Sequence, residues 1–483
     1  MTFRRRSSSL LVGLLLAALV GGGGLSCAVN PATGERQLSL IGEGREIEMG
    51  REAHPEILRT FGVYPDSSLQ AYVSELGQRM AQVSERPRLP WTFTVVDDPV
   101  VNAFALPGGF IYVTRGILAH FDSEAQLAAV LGHEIGHVTA RHSVNQMSRA
   151  QLAQVGLGVG SIFAPEVAPF MDLAGASLQL LFLKFGRDDE RQSDELGFRY
   201  MTRLDYDPQE MTEVFAMLGR VSEAAGGGDV PGWLSTHPDP ENREERIRER
   251  IATDPGAPTD GIVGEAEYLR RLDGVVYGAN PRHGFFQGAD FYHPDLAFHL
   301  RFPEGWRTVN QRTAVQAVSP EQDAVLLLTL AEHDSPAVAR RSFFSGQGIS
   351  ADGIRDDPVN GLEAAWAQFT AATEQGRLRG MVLFVKLGDQ VYRILGFTPE
   401  SRWGQHRDAL LFTLDSFERE TRSRVLSVQP ARVEIVELSR PTAFRAFVER
   451  YPSSIPDARI ALLNQVSEDA TLRPGLYKRV TGG

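Results

Sequence analysis

The clearest pattern along the chain is an apolar stripe at helical spacing that follows Ser123. The apolar positions recur every three or four residues, at Leu127, Val130, Leu131, Ile135 and Val138. This spacing places them on one face of a helix and predicts that the face is buried. Ser123 and Gln126 form a capping box, which favours a helix that begins at Ser123. A second helical stretch is predicted from about residue 187 to Leu204.

The pattern changes after His283, where short alternating runs replace helical spacing. Strands are predicted at 298–302, 324–329 and 391–397, with helical stretches near 335–345 and 402–419. This mixture indicates an α+β domain. The last part of the chain follows the order β-α-α-β: a strand at 433–438, helices at 444–451 and 458–464, and a strand led by Leu472, Gly475 and Leu476. The predicted fold class of the whole chain is therefore α+β.

Length and charge narrow the classes of function. The chain has 483 residues, which is too long for one compact core, so two or three domains are expected. Its hydrophobic fraction of 42% and charged fraction of 23% are those of an ordinary globular protein. The formal net charge is −12, and no Lys/Arg-rich patch occurs beyond the extreme N-terminus. Since binding phosphates requires a basic face, nucleic acid is excluded as an expected partner.

The N-terminus has the features of a secretory signal. Three arginines at 4–6 precede an apolar run at 10–20, and small residues follow at 21–24. The apolar run is shorter than the roughly 20 residues that span a bilayer. Residues 1–26 are therefore predicted to be a signal peptide, and a buried first helix is the alternative.

The single cysteine, Cys27, lies where this signal would be cut. The segment Gly24-Leu25-Ser26-Cys27 resembles a lipoprotein lipobox, although its leucine is at −2 instead of −3. This position favours lipidation of Cys27, and a buried small hydrophobic residue is the alternative. With one cysteine in the chain, no intrachain disulfide is expected.

The apolar stripe carries a metal-binding motif, His133-Glu134-Ile135-Gly136-His137. Two histidines four positions apart project from one face of a helix, so His133 and His137 can share a metal ion. Zinc accepts imidazole readily and, with three protein ligands, keeps a position for water, whose pKa it lowers to about 7. Glu134 is placed to take the proton of that water during attack on a peptide carbonyl. The alternative is a pair of core histidines beside a surface glutamate.

A third ligand must come from elsewhere in the chain. No downstream histidine continues the motif, and His142 is predicted to point off the metal face and to be structural. In the second helical stretch, Glu190 and Asp194 are four apart on one face. One of the two carboxylates can therefore ligate the metal while the other braces a ligand histidine.

At this point the residues resemble a known family. HEIGH, followed by E-x-x-x-D about fifty residues later, resembles the M48 zinc metallopeptidases, in particular their soluble periplasmic branch that acts in envelope quality control. Three further segments are similar to parts of that family. These are 102–109 (the edge strand and turn before the active helix), 30–34 (the N-terminal segment), and 234–238 with Arg246-Ile247 (the closing loop and helix). The resemblance covers about residues 28–275.

The resemblance implies one zinc ion per chain, held by His133, His137 and Glu190, with Glu134 as the general base. It gives Asp194 the second acid position, either as a proton donor or as an orienter of a zinc histidine. Ser193 stands where the family usually has alanine, a small change that is expected to be neutral.

The resemblance also implies residues for substrate binding and for closure of the site. The edge strand would pair with an extended substrate backbone through Asn102, Ala103 and Phe104. His237 and Arg246 would lie near the zinc in a closed state. His237 would then be an inhibitory ligand or a stabiliser of the oxyanion, and the alternative is a His-Pro turn with a surface arginine.

Residues 151–185, rich in glycine and apolar side chains, separate the two motif helices. Pro165 and Pro169 interrupt the apolar run, which favours a helical hairpin or lid over the cleft above membrane association. Such a lid would restrict entry to unfolded chains.

The predicted organisation has four parts. A signal (1–26) precedes a mainly helical, zincin-type metallopeptidase domain with a small edge sheet (27–275), and a Pro/Gly-rich linker signal lies within its end at 252–262. An α+β accessory domain (276–425) follows, in which the segment Phe302-Pro303-Glu304-Gly305-Trp306 resembles PsbP/Mog1-like modules.

The fourth part (430–483) resembles a degenerate LysM module, a type that binds cell-wall glycan. Arg440-Pro441-Thr442 stands where that family has Gly-Asp-Thr, so a structural or protein-docking cap is the alternative.

Three functions are consistent with these features. The favoured one is a zinc endopeptidase of the cell envelope that degrades misfolded or unfolded envelope proteins, because every zinc-site residue is present. The second is a chaperone-like assembly factor whose zinc site is latent. The third is a wall-binding protein that contacts peptidoglycan through 430–483. The predicted location is the periplasm, with anchorage to the outer membrane through a lipid on Cys27.

Overall fold

The computed structural model describes residues 27–157, 185–226, 232–238, 240–258, 260–346, 348–373 and 376–483. Helices and strands are mixed throughout this part, as the α+β class predicts. The predicted signal peptide at 1–26 and most of the predicted lid at 151–185 lie outside the described residues. Among those described, no helix is both long enough and apolar enough to cross a membrane.

The chain divides into two packed units. The first contains the described residues up to Ile57 together with Val63–Val96 and Val100–Arg271. The second contains Leu58–Gly62, Asp97–Pro99 and Leu272–Gly483.

The first half of the chain is mainly helical. The helices described between residues 43 and 272 are α1 (Glu43–Phe61), α2 (Ser67–Gln82), α3 (Arg115–His120), α4 (Glu124–Ala140), α5 (His142–Leu157), α6 (Arg187–Arg203), α7 (Gln209–Ala224), α8 (Trp233–Thr236), α9 (Pro240–Thr253) and α10 (Glu265–Leu272).

Two small sheets accompany these helices. Strands β1 (Cys27–Val29) and β2 (Arg36–Leu38) form an antiparallel hairpin in which Cys27 pairs with Leu38. Strands β3 (Thr92–Val96), β4 (Ala103–Leu106) and β5 (Phe110–Thr114) form a sheet in the order β3-β5-β4. β5 is parallel to β3 and antiparallel to β4. The predicted edge position of the strand around Phe104 is confirmed.

Helix α4 begins where the capping residues predict. The side chain of Ser123 accepts a hydrogen bond from the backbone N–H of Gln126 at 3.1 Å. Gln126 Oε1 accepts from the N–H of Asp122 at 2.9 Å, so both side chains cap the helix start. The predicted stripe is buried, but so is every other residue from Ala125 to Ala140, and the helix is enclosed on all sides.

Small residues let α4 approach α6 closely. A Cβ atom on Gly132 would lie 3.0 Å from the Cα of Gly197, and one on Gly136 would lie 3.0 Å from the carbonyl oxygen of Ser193. Side chains at these positions would force the helices apart. The glycine inside the metal motif therefore has a packing role, because it brings α6 against the face that carries the two histidines.

The C-terminal end of α4 is held by a buried group of charges. Arg141 takes a left-handed conformation with φ of 63° and ends the helix. Its Nε donates to Glu46 Oε2 at 2.9 Å. Arg86 Nη1 donates to the carbonyl oxygen of Val138 at 2.9 Å and to Glu46 Oε1 at 2.8 Å. Glu46 is 1% exposed, and its buried charge is compensated by Arg86 and Arg141. Arg86 also satisfies a backbone carbonyl group at the end of the helix.

The second unit is built on a seven-stranded antiparallel sheet. Its strands are, in order, β12 (Ile349–Arg355), β13 (Ala364–Thr373), β14 (Gly376–Leu387), β15 (Gln390–Pro399), β11 (Val325–Leu330), β10 (Ala314–Val318) and β9 (Arg307–Gln311). Side chains of β14 alternate between two cores: Leu383 packs in the cluster that contains Leu410, and Phe384 packs in the cluster that contains Ala339. The helices that carry Leu410 and Ala339 therefore cover opposite faces of the sheet. A four-stranded sheet follows the order β16 (Glu418–Arg419), β8 (Phe298–Arg301), β7 (Asp290–His293) and β6 (Phe285–Gln287).

The predicted strands at 298–302, 324–329 and 391–397 and the predicted helices near 335–345 and 402–419 are found to within a few residues. The strands are β6 (Phe285–Gln287), β7 (Asp290–His293), β8 (Phe298–Arg301), β9 (Arg307–Gln311), β10 (Ala314–Val318), β11 (Val325–Leu330), β12 (Ile349–Arg355), β13 (Ala364–Thr373), β14 (Gly376–Leu387), β15 (Gln390–Pro399) and β16 (Glu418–Arg419). The helices are α11 (Pro336–Phe344), α12 (Trp403–Asp415) and α13 (Ser423–Leu426).

The C-terminal part has the predicted β-α-α-β order. Its elements are β17 (Arg432–Leu438), β18 (Thr442–Ala443), α14 (Phe444–Arg450), α15 (Asp457–Leu463), β19 (Thr471–Leu472) and β20 (Gly475–Thr481). β17 and β20 pair antiparallel. The order of elements is confirmed, and the likeness to a LysM module stays a prediction.

Candidate metal centre

The two histidines of the motif meet on one face of α4. His133 Nε2 and His137 Nε2 are 2.9 Å apart, and each residue is 2% exposed. Two imidazole nitrogens at this separation can share either a proton, in a hydrogen bond, or a metal ion. The helical spacing therefore brings both imidazoles to one point, as predicted.

Two further side chains complete a cluster around these nitrogens. Glu190, on α6, places Oε2 3.5 Å from His133 Nε2 and Oε1 3.3 Å from His137 Nε2. His237, directly after α8, places Nδ1 2.9 Å from Glu190 Oε1 and 3.2 Å from His133 Nε2. One ligand atom from each of the four residues lies within 4.8 Å of the others, and all four residues are buried.

This geometry fits a tetrahedral metal ion. Zinc binds nitrogen and carboxylate oxygen at roughly 2.0 to 2.2 Å, so ligand atoms of a tetrahedron lie roughly 3.3 to 3.6 Å apart. Five separations among His133 Nε2, His137 Nε2, His237 Nδ1 and the two Glu190 oxygens run from 2.9 Å to 3.5 Å, near that range, and one ligand atom from each residue lies within 4.8 Å of the others. Three nitrogens and one carboxylate oxygen are also the donor types that zinc prefers.

Asp194 orients His133 from behind. Its Oδ1 lies 2.9 Å from His133 Nδ1, which leaves Nε2 as the atom that faces the cluster. Asp194 is absent from the group of metal-binding side chains. Two roles were left open for Asp194, proton donor and orienter of a zinc histidine, and this geometry fits the second.

Arg243, on α9, is the functional residue that sequence reasoning missed. It is 1% exposed, and its Nη1 forms a 2.9 Å ion pair with Glu190 Oε2 while its Nη2 and Nε donate to Asp194 at 2.6 Å and 2.8 Å. Its guanidinium lies 4.5 Å from the ring centroids of Trp233 and Phe215. One arginine thus holds both carboxylates of the ExxxD pair.

Arg246 lies one helical turn further along α9. Its Nη2 is 3.4 Å from Asp194 Oδ2, and its side chain is 35% exposed. The closing helix therefore reaches the centre, as the family resemblance implied, but its buried contacts come from Arg243. The sequence offered one signal, because Arg243 lies three positions before Arg246 and shares its helix face, but this spacing does not indicate that Arg243 is buried.

Glu134 lies beside the cluster without joining it. Its Oε1 accepts a hydrogen bond from Trp233 Nε1 at 3.3 Å and lies 3.6 Å from His237 Nε2. Glu134 is 1% exposed, and this burial raises its pKa to about 7. A carboxyl group with a pKa near neutrality can both accept and return a proton.

The charge states of the other groups suit a metal ligand set. Burial lowers the pKa of His133 to about 3, and Arg243 adds to this effect. For Glu190, burial acts to raise the pKa, but the neighbouring histidines outweigh it and the pKa is lowered. For Asp194, Arg243 likewise outweighs burial, and the pKa is lowered. His133 is therefore neutral and the carboxylates ionised, which is what metal coordination requires.

His142 is buried next to the cluster. It is 3% exposed, and its Nδ1 lies 3.0 Å from His137 Nδ1. Its ring nitrogens do not belong to the metal-binding group, as predicted. Burial lowers the pKa of His142 to about 3, with His137 adding to the effect, so this side chain is neutral.

The predicted substrate residues lie at and beside β4. Ala103 is 0% exposed and Phe104 is 8% exposed, its ring stacked on Tyr112 with centroids 4.9 Å apart. Asn102 Oδ1 has no hydrogen-bond partner in the described part of the chain. Cys27, the predicted lipidation site, is the first residue of β1. Substrate binding and lipidation stay predictions.

The cluster lies within a segment of the chain that is similar to a known protein family. The model of peptidase family M48 matches residues 67–251, which include all four residues of the cluster. The beta-barrel assembly-enhancing protease of Escherichia coli K12 is 29% identical over 229 residues, which make up 46% of this chain and 46% of that protein. The mitochondrial metalloendopeptidase OMA1 of Schizosaccharomyces pombe is 31% identical over 238 residues, 45% of this chain and 65% of that protein. The chain thus spans about half the length of the bacterial relative.

Among solved structures, cyanobacterial PsbP from Synechocystis is similar over 28% of this chain and 94% of its own. Its sequence identity is 11% and the TM-score is 0.24, which is too low to establish a shared fold. The PsbP/Mog1-like resemblance of 276–425 therefore stays a prediction.

Proposed function

We propose that this protein is a zinc-dependent endopeptidase of the cell envelope, since the model of peptidase family M48 matches residues 67–251. Its substrates are misfolded or unfolded envelope proteins, whose peptide bonds it hydrolyses with Glu134 as the general base. The observation that carries the proposal is the buried convergence of His133, His137 and Glu190 beside Glu134.

Each residue of the centre has a role in this reaction. A zinc ion, when bound, supplies a Lewis acid for the peptide carbonyl and makes water acidic enough to attack near neutral pH. Glu134 takes the proton of the attacking water and returns it to the leaving amine. The hydrogen bond from Trp233 Nε1 to Glu134 Oε1, at 3.3 Å, fixes the direction of that carboxylate.

Substrate recognition is assigned to the edge strand β4. An extended peptide that adds to the edge of the three-stranded sheet would gain backbone hydrogen bonds, and Phe104 would contact its side chains. Asn102 and Ala103, at the start of this edge, are assigned to the same pairing.

A second function, a chaperone-like envelope assembly factor with a latent site, is favoured by His237. Its Nδ1 lies 2.9 Å from Glu190 Oε1 and within reach of the same metal ion as the other ligands. A fourth protein ligand would take the position that water needs in catalysis. In this arrangement His237 would close the site, and its withdrawal would open it.

The proposed location is the periplasm, with a lipid on Cys27 that anchors the protein to the outer membrane. The signal-like features of 1–26 support this location. So does the similarity to the beta-barrel assembly-enhancing protease of Escherichia coli K12. The proposed domains are the peptidase at 27–275, the accessory domain at 276–425 and the LysM-like module at 430–483, which would contact peptidoglycan.

The test compares casein cleavage by the mature protein and by Glu134→Gln, with zinc content measured on both. Cleavage by the wild type alone, at equal zinc content, is expected, because the change removes the base and leaves the ligands in place. A Glu134→Gln variant with full activity would refute the mechanism. If neither protein cleaves at equal zinc content, His237→Ala is the next variant, and a gain of activity in it would support the latent site.

A further inference from the structure

We propose that His142 is a positioning residue of the metal centre, which accepts the Nδ1–H of His137 and so presents His137 Nε2 to the metal ion. This inference rests on the proposed function in one respect, namely that the cluster holds a metal ion. It assigns a role to a buried histidine that neither ligates nor touches the substrate. Hydrogen bonds on both sides of the His142 ring support this role.

The contact between the two rings is close and enclosed. His142 Nδ1 lies 3.0 Å from His137 Nδ1, and the ring planes meet at 78° with centroids 5.0 Å apart. His137 and His142 are 2% and 3% exposed, so water has little access to either ring. A nitrogen–nitrogen separation of this size requires that one atom donates and the other accepts.

The positions of the protons follow from metal coordination. If His137 gives its Nε2 lone pair to the metal, its proton must be on Nδ1. His142 Nδ1 is then the acceptor, so the proton of the neutral His142 ring is on Nε2. The atom facing that Nε2 is Gln192 Oε1, at 2.9 Å, and an amide oxygen can only accept. Every donor in this series of hydrogen bonds, from His137 through His142 to Gln192, therefore meets an acceptor.

The outer end of this series of hydrogen bonds, at Gln192, is also fixed. Asn30, 6% exposed, donates through Nδ2 to the same Gln192 Oε1 at 3.1 Å. Asn30 is itself held, because its Oδ1 accepts from the backbone N–H of Ala32 at 2.8 Å. The turn after β1 thus keeps the Gln192 amide facing His142. Ser193, at the position where alanine is usual in the resembled family, places Oγ 3.3 Å from His142 Nδ1.

The two motif histidines are therefore oriented by different chemistry. His133 has an ionised carboxylate behind it, Asp194 at 2.9 Å. His137 has a neutral imidazole behind it. Loss of such an outer partner typically weakens metal binding by about 10- to 100-fold, because the ligand ring loses both its preferred tautomer and its orientation.

The experiment measures metal binding by the full-length mature protein, without any activity readout. Zinc affinity is determined by competition with a chromophoric chelator, and the visible spectrum is recorded after loading with Co²⁺. His142→Leu removes the acceptor, whereas His142→Asn keeps an acceptor oxygen near the position of Nδ1. His120→Leu is the matched control, because His120 is also buried and its Nδ1 contacts the carbonyl oxygen of Gly116 in its own helix.

Weaker zinc binding by about 10- to 100-fold and an altered cobalt spectrum are expected for His142→Leu. Recovery of most of the affinity is expected in His142→Asn, and unchanged affinity in His120→Leu. If His142→Leu does not fold, Gln192→Leu tests the same series of hydrogen bonds from its outer end, where Gln192 is half-buried. This variant should also bind zinc more weakly than the wild type.

Unchanged affinity and spectrum in a folded His142→Leu, or equal losses in His142→Leu and His120→Leu, would overturn the inference. A wild-type protein that binds neither zinc nor cobalt would instead refute the proposed function, and the two failures are therefore distinct.

Discussion

Arg243 gives the sharpest test of how the centre is held together. In the described structure it is the buried cation that pairs with both Glu190 and Asp194, at 2.9 Å and 2.6 Å. Substitution with methionine keeps much of the volume but removes the charge. Breaking a buried pair from one side typically costs about 3 to 5 kcal/mol, because the remaining charge stays buried without compensation. Loss of the contacts to Trp233 and Phe215 adds to this cost.

The metal ion should change the size of this effect. A divalent cation on Glu190 would compensate that carboxylate and leave Asp194 as the main unpaired charge. We therefore expect Arg243→Met to destabilise the metal-free protein by about 3 to 5 kcal/mol and the zinc-loaded protein by less. For a unit of this size, 3 kcal/mol corresponds to a decrease in Tm of roughly 6 to 12 °C.

The assay is differential scanning calorimetry of wild type and variant, with and without zinc. The unfolding transition whose Tm shifts with zinc is that of the unit that holds the metal centre. It can therefore be distinguished from the unfolding transition of the second unit. Arg246→Met, one turn along the same helix, is the matched control. Its side chain is 35% exposed and makes one 3.4 Å contact with Asp194, so a loss of at most about 1 kcal/mol is expected. Equal effects of the two variants, or an Arg243→Met effect that does not depend on zinc, would refute the reasoning.

Three further predictions concern the ligands, the helix start and pH. Glu190→Ala should bind zinc more weakly than wild type in a chelator competition, and an unchanged affinity would place the third ligand elsewhere. Ser123→Ala should reduce the free energy of unfolding by about 1 to 2 kcal/mol, because the cap of α4 and the 2.6 Å hydrogen bond to Glu210 are both lost, whereas Ser123→Thr should retain most of the stability.

The metal-free protein should lose stability as the pH falls from about 6.5 towards 4. The folded-state pKa values of His133 and His142 are both lowered to about 3, so in that range the unfolded state binds the protons. Urea unfolding should show a slope of up to about 1.4 kcal/mol per pH unit for each histidine, and a flat profile would contradict the assignment.

The metal ligands could be predicted because their spacing is local. His133 and His137 lie four apart on a helix whose cap and apolar stripe are visible in the sequence, whereas Glu190 is assigned as the third ligand through the family resemblance. The sequence could not say which carboxylate ligates, because that depends on how α6 approaches α4. Close contacts at Gly132 and Gly136 set this approach, and they depend on the packed structure.

His142 and Arg243 make contacts that the sequence pattern did not predict. His142 was predicted to point off the metal face and to be structural, and it is outside the metal-binding group, but its contact with His137 was not predicted. Arg141 takes a left-handed conformation, so the helix ends there and His142 turns back towards His137. Arg243 stands in a run of charged residues that is typical of an exposed helix face. Its burial follows from tertiary packing, which no local pattern encodes.

The hairpin at the start of the described chain has a mechanical consequence. Strand β1 begins at Cys27, and Asn30, three residues later, is already buried beside Gln192. An extended chain covers at most about 3.6 Å per residue, so a lipid on Cys27 would leave a leash of roughly 10 Å. The proposed lipid would therefore keep the start of the folded chain within about this distance of a membrane surface.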